Sequence, residues 1–455
     1  MAKTAPNKNK PRFFSVLMTL ILIGAGIFGV YKVRSMLRPG PLFAFFPEKE
    51  SVSEKAAPAD EATTKTADED AIAAAKAIGE ADSTLTPAFL SYIAENCDAK
   101  ALKTVQAAMS APDFDRAVWF TATGKSFHTL NALADGSVDK GLVRDLQSDK
   151  DTIEIGFAGK INAAQAGSAA DCISADLQKA MQEMDIQVVN SECVFSSDGT
   201  TGAYLADPKS VDLYKQTGVD LAVVANDRVA VNGADGVAQT LKTLESADVS
   251  HVGAGADVNE AAKPAYFLVG GRKIAFIAAA DTLAWRSAYA ATATSAGVFS
   301  LRYSLDAVKY AVKAAKEVSD YVFVYIHAGV DDNASWFDID QDTWSKALID
   351  EGADGVIGAR SSRLQGMEYY NGKLIVYGLG NFLYDDSTRE TGIYKLSIAK
   401  DGTLSHFFLP CIQSGGKVSL CTNDADSYSV FNRISTYCGN VVSVDSDGTI
   451  RNNRR

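Results

Sequence analysis

Ten polar residues share one property: Lys160, Asn190, Glu192, Asn226, Asp227, Arg228, His327, Asp331, Arg360 and Asn381 all fall within a few positions of the end of a short apolar run. Polar residues leaving such runs are where α/β proteins gather their ligand chemistry. The residue types admit two chemistries. Glu192, Asn226 and His327, with Asp331, offer the carboxylate, amide and imidazole groups that could hold one divalent cation. In that case His327 and Asp331 are the candidates for general acid–base work. Lys160, Arg228 and Arg360 could instead clamp a carboxylate or phosphate, which an arginine fork matches in shape. A purely structural reading pairs these cations with Glu192, Asp227 and Asp331 as a self-neutralised pocket. A lone strand-end histidine is often simply hydrogen-bonded, and Asn381 either faces the pocket or caps a turn.

Several function classes drop out early. A formal net charge of -12 on 455 residues argues against nucleic-acid binding, which depends on clustered Lys and Arg. With only four histidines, the chain is poorly supplied for a two-metal hydrolase. The TGKS at Thr123–Ser126 is no phosphate loop, because Trp119 stands where the first glycine belongs and no buried strand precedes it. No GxSxG or HExxH pattern occurs.

The elements that must position these residues are alternating strands and helices. TIEIGFA, DIQVVN, LAVVAN, KIAFIAAA, YVFVYIH and GVIGA read as buried strands. CISADLQKAMQEM, GVAQTLKTLESA and DTWSKALIDEGA between them read as helices, which makes the domain α/β. Asn371-Gly372 and Asp401-Gly402 mark two hairpins.

Upstream, Phe13–Tyr31 is uncharged and long enough to cross a bilayer; the preceding Lys3, Lys8, Lys10 and Arg12 favour a cytoplasmic N-terminus. The expectation is a single-pass anchor in the cell membrane with the main domain outside. Polar, mixed-charge sequence from Pro47 to about Ser83 reads as a flexible stalk whose Ala-rich end is able to form a helix. An outside location permits disulfides among Cys172, Cys193, Cys411, Cys421 and Cys438, with Cys172–Cys193 and a bridge within the last three as the expected pairs.

Two long stretches carry a resemblance. ANDRVAVNGADGVAQTLKTLESADVSHVGAGADVNEAAKP and LIDEGADGVIGARSSRLQGMEYYNGKLIVYGLGNFLYD resemble the CapA family of capsule and poly-γ-glutamate synthesis proteins. The fold of that family is similar to the calcineurin-like metallophosphatases. The resemblance implies a metallophosphatase-like β-sandwich flanked by helices. Taken with the composition of the rest of the chain, the organisation is a cytoplasmic tail at 1–12, the anchor at 13–31, the stalk at 32–83, a helical segment at 84–148, the CapA-like domain at 149–413 and a Cys-containing tail at 414–455.

It also shows where this chain departs. The family's Gly-Asp becomes Gly159-Lys160, its Asn-Asn-His becomes Asn226-Asp227-Arg228, and its Gly-His-His-Pro-His becomes Gly358 followed by Ala359, Arg360, Ser361 and Ser362. Asn190, Glu192 and His327 match, and Asp331 stands for a glutamate. The implied role is accessory: binding an anionic envelope polymer or a phosphate-bearing ligand, within a membrane polymer-synthesis complex. No cofactor is expected, with one divalent ion left open; an active metal-dependent phosphoesterase and a non-catalytic scaffold or sensor are the rivals.

Overall fold

The computed structural model describes residues 69–81, 90, 94, 99–100, 102–103, 143–146, 150–197, 202–282, 289–329, 336–439 and 441–454. Two sheets form the frame. The first has seven strands in the order Val143–Asp145, Ala265–Val269, Arg272–Ala280, Tyr321–His327, Gly355–Ala359, Lys373–Val376 and Met367–Tyr370. The second runs Lys417–Leu420, Leu404–Ser414, Arg389–Ala399, Thr152–Ile161, Ile186–Ser191, Leu221–Val223 and Ser250–Val252, and Asn381–Leu383 joins it beside Thr152–Ile161. All six expected strands are present, and both expected hairpins turn where Asn-Gly and Asp-Gly stand.

Side-chain alternation shows how the layers stack, since neighbouring strand residues point to opposite faces. In Tyr321–His327, Phe323 and Tyr325 enter the core between the sheets, while Val322, Val324 and Ile326 enter a second core. Arg272–Ala280 divides in the same way, with Ile274, Phe276 and Ala278 on one side and Ala275, Ile277 and Ala279 on the other. Rings of both sheets meet at the centre: Phe157 lies 6.2 Å from Phe276, 6.0 Å from Phe323 and 5.5 Å from Tyr394. Val308, Ala311 and Val312 of the helix Leu301–Glu317 and Leu348 of Ile339–Asp350 close the outer face of the first sheet. Leu177 and Met181 of Ala175–Gln182, with Val237, Leu241 and Leu244 of Gly233–Ser246, pack against the second sheet. The order is helix, sheet, sheet, helix.

Several expectations need correction. Residues 414–455 are not a tail: Lys417–Leu420 completes a sheet edge, Asp424–Tyr437 is a helix burying Val430, Phe431 and Ile434, and Val442–Val444 pairs with Ile450–Asn452. Val143–Asp145 pairs in parallel with Ala265–Val269, so the fold begins before residue 149. The Ala-rich end of the expected stalk does form a helix, Glu69–Ala81, but it is part of the fold, with Ala71, Ala74, Ala75 and Ile78 buried in the second core. Cys172, Cys193, Cys411, Cys421 and Cys438 are free thiols rather than paired. Their sulfurs have other partners: Cys172 Sγ accepts from the Gly167 N–H and Cys438 Sγ from the Met367 N–H. Burial pushes Cys193 and Cys438 each up to about 11, so they stay protonated. The apolar run Phe13–Tyr31 and most of 84–148 lie outside the described residues, among which no helix is long and apolar enough to cross a membrane.

Candidate functional site

The site forms where strand ends of both sheets face each other. His327 continues the alternation of Phe323 and Tyr325, so its ring turns into the gap between the sheets. Across that gap, the strand Thr152–Ile161 shifts register between Phe157 and Lys160, and a bulge of this kind re-aims the side chain that follows it. Gly159 permits the arrangement, because a Cβ there would run into the Gly380 carbonyl oxygen. The Lys160 N–H donates to that same oxygen at 3.0 Å, drawing Asn381 alongside Lys160.

The polar groups then close into one buried network. Asn226 Nδ2 donates to Asn190 Oδ1 at 3.1 Å and to the Ser191 carbonyl at 2.9 Å, and its own Oδ1 accepts from the Arg228 N–H at 3.0 Å. Asn190 Nδ2 donates to Glu192 Oε1 at 3.1 Å, and the Tyr384 hydroxyl donates to Glu192 Oε2 at 3.0 Å. His327 sits between two acids, with Nδ1 3.3 Å from Glu192 and Nε2 3.7 Å from Asp227. Lys160 Nζ donates to the Arg360 carbonyl at 2.8 Å and lies 3.9 Å from Glu192 Oε2. Arg360 Nη1 lies 3.4 Å from Asp227 Oδ2. Glu192 and His327 are 2% exposed, Lys160 and Arg360 4%, so solvent screens these charges little.

Arg360 reaches this position at a backbone cost. Its φ of 100° is a region that side chains other than glycine rarely occupy, at about 1–3 kcal/mol. The Ser361 hydroxyl accepts from the Arg363 N–H at 3.1 Å, helping to fix the turn. Burial and the Glu192 charge push both Tyr384 and Tyr325 well above the ordinary phenol range, so both remain hydrogen-bond donors.

Arg228 differs from the other two cations. It is partly buried, its guanidinium stacks 4.1 Å from the Tyr204 ring, and its Nε has no hydrogen-bond partner among the described residues. Asn381, 1% exposed, likewise leaves Oδ1 without a partner. Asp331 lies outside the described residues.

Nine of the ten residues singled out in the sequence therefore come together. Tyr384 and Tyr204 are additions that a search for charged strand-end residues passes over. The signal for Tyr384 is its place in LGNFLYD, directly after the short strand Asn381–Leu383. Asp281 also follows a buried strand, but its carboxylate is turned to the helix side, where Arg302 grips it at 2.5 and 2.8 Å. It braces the strand edge and does not line the pocket.

This donor set fits a metal pair poorly. Glu192, Asp227 and His327 do converge, but each acid already faces a cation. A divalent ion about 4 Å from the Lys160 ammonium would meet a repulsion of about 8 kcal/mol at an effective dielectric of 20. Among the described residues no group of three or more His, Cys, Asp or Glu side chains is placed to hold a metal ion.

Comparison with known proteins gives the lineage. Residues 140–386, more than half of the chain, match the family model for the bacterial capsule synthesis protein PGA_cap. The chain belongs to this family. The capsule biosynthesis protein CapA of Bacillus anthracis is 27% identical over 240 residues, covering 50% of this chain and 56% of that protein. The PGA biosynthesis protein CapA of Bacillus subtilis is 29% identical over 203 residues, covering 43% and 51%. A probable polyglutamine synthesis accessory protein of Mycobacterium tuberculosis is 28% identical over 214 residues, covering 44% and 56%. The chain spans about half the length of these curated relatives. PGA_cap membership thus agrees with the resemblance read from the two long motifs, and the matched region contains every residue of the network.

Proposed function

We propose that this PGA_cap protein is an accessory factor in the synthesis, export or anchoring of an anionic cell-envelope polymer of the poly-γ-glutamate type, and that its pocket binds an oxyanion instead of a catalytic metal pair. The capsule, PGA and polyglutamine synthesis roles of the similar proteins support the first part. The second rests on Arg228. Three cationic side chains meet two carboxylates in the described network, and Lys160 and Arg360 lie closest to those acids. Arg228 is only partly buried and its guanidinium lies 4.1 Å from the Tyr204 ring, while its buried Nε has no partner among the described residues; an arginine fork matches a carboxylate or phosphate in shape. A membrane anchor at Phe13–Tyr31, with the domain outside among polymer-synthesis partners, belongs to the same proposal.

Titration of a soluble γ-linked glutamate oligomer into the purified chain tests it. Arg228→Gln is expected to weaken binding about tenfold, the value of one charge-assisted pair. Unchanged affinity would sink the assignment. The convergence of His327 with Glu192 and Asp227 favours one rival, a metal-dependent phosphoesterase, which would require an ion to displace Lys160 from Glu192. Phosphoester turnover that appears with Mn²⁺ and disappears in Glu192→Gln would establish that rival.

A further inference from the structure

A second cluster of arginines lies on the other side of the loop that carries Arg360. Arg363, Arg389 and Arg433 come from three distant segments: this loop, the start of the strand Arg389–Ala399 and the helix Asp424–Tyr437. They line a cleft of about 350 Å³, together with the hydroxyl-bearing Thr388 and Ser429. That volume falls at the lower end of the usual range for small-ligand sites, about 300–1,000 Å³.

The charges in this cleft are unevenly engaged. Glu390 pairs with Arg433 Nε and accepts from the Ser429 hydroxyl at 3.1 Å. Asp426 is held by the Asn423 side chain at 2.7 Å at the helix start. Asp385 is occupied by the Ser387 N–H at 2.8 Å and by Gln413 Nε2 at 3.1 Å, and it reaches Arg389 only at 4.0 Å. Arg389 Nε is buried and has no hydrogen-bond partner among the described residues, and Arg363 is exposed. Each acid thus has its own partner, while Arg363 and Arg389 both line the cleft.

One loop connects the two places. Arg360 and Ser361 are buried in the strand-end network, and Arg363 and Leu364 border the cleft. Gly380, with φ 71°, packs against the backbone of Arg363 and Leu364, and the Asn381 N–H donates to the Ser362 carbonyl at 3.2 Å. The loop is therefore fixed on both sides.

We infer that this cleft is a second carboxylate-binding subsite, in which Arg363 and Arg389 take a carboxylate of the same polyanion whose other carboxylate sits at Arg228. The inference rests on the oxyanion reading of the first pocket. Two weak subsites on one folded domain would favour a polymer over its monomer, because the second contact forms within the bound chain.

The experiment is calorimetric titration of the full chain with a γ-linked glutamate decamer, with monomeric glutamate and with inorganic phosphate. Four proteins are compared: wild type, Arg363→Gln, Arg389→Lys and Arg228→Gln. Arg363 is exposed, so its substitution leaves the fold intact, and Arg389→Lys keeps the charge while losing the fork. The expected result is a decamer affinity about tenfold weaker in Arg363→Gln and reduced in Arg389→Lys, with monomer binding weak throughout. Decamer affinity unchanged in both cleft variants but lost in Arg228→Gln overturns the second subsite and leaves the first. Loss in the cleft variants with none in Arg228→Gln supports the cleft and refutes the first pocket's role. Tight phosphate binding without decamer binding overturns the carboxylate assignment.

Discussion

The pair formed by Lys160 and Glu192 allows the charge account of the pocket to be measured. At 3.9 Å, with both side chains nearly inaccessible, their attraction is about 4 kcal/mol at an effective dielectric of 20. Glu192→Gln takes the nearby carboxylate away from a buried ammonium that donates to the Arg360 carbonyl and lies 4.9 Å from the Tyr384 ring. Removing one partner of a buried ion pair costs about 3–5 kcal/mol. Lys160→Met is milder, about 1–3 kcal/mol, because Glu192 keeps the Asn190 and Tyr384 donors and the His327 ring. The double variant removes both charges and should be less damaged than the sum of the two by about 2–3 kcal/mol. Urea unfolding at pH 7.5, followed by far-ultraviolet circular dichroism, gives all four corners of the cycle. A coupling below about 0.5 kcal/mol would mean that water screens the pair and would refute the reasoning.

Two further outcomes follow from burial and close approach. Burial raises Asp220 from 3.8 to about 6, so between those values the folded chain holds the proton more tightly and gains stability as pH falls. Burial lowers His406 from 6.5 to about 4, so there the unfolded chain holds the proton and stability is lost as pH falls. The two oppose each other between about pH 4 and 6; Asp220→Asn should steepen the acid loss and His406→Gln should reverse it, each by up to about 1.4 kcal/mol per pH unit in melts across that window. Gly159→Ala should cost about 1–3 kcal/mol in the same unfolding assay, because its methyl meets the Gly380 carbonyl, and a neutral result would show that the two strands can part.

The parts of the molecule legible in the sequence were those that depend on short-range pattern. YVFVYIH and KIAFIAAA announce strands buried on both faces, and Asn371-Gly372 announces its hairpin, because period and turn chemistry act within a few residues. The polar residues at strand ends were visible for the same reason. Long-range pairing was not. Nothing near Gly159 in the chain tells of the Gly380 carbonyl, and nothing near Lys160 marks the register shift that turns it toward Glu192. The arginine cleft was hidden because Arg363, Arg389 and Arg433 are ordinary surface residues until the C-terminal helix packs beside the loop. That helix was missed because the Ser- and Asp-rich sequence after Gln413 suggests a loop. Only the buried Val430, Phe431 and Ile434 reveal one apolar face, and Asn423 caps its start.

The claim that cations have taken the place of metals in this PGA_cap site is tested most directly by metal content. The full chain would be purified without chelators, incubated with Mn²⁺ and Zn²⁺, dialysed, and subjected to elemental analysis. The account predicts almost no retained metal, with Lys160 and Arg360 holding Glu192 and Asp227 in its place. One or two ions per chain that survive dialysis, and are lost in Glu192→Gln, would contradict it.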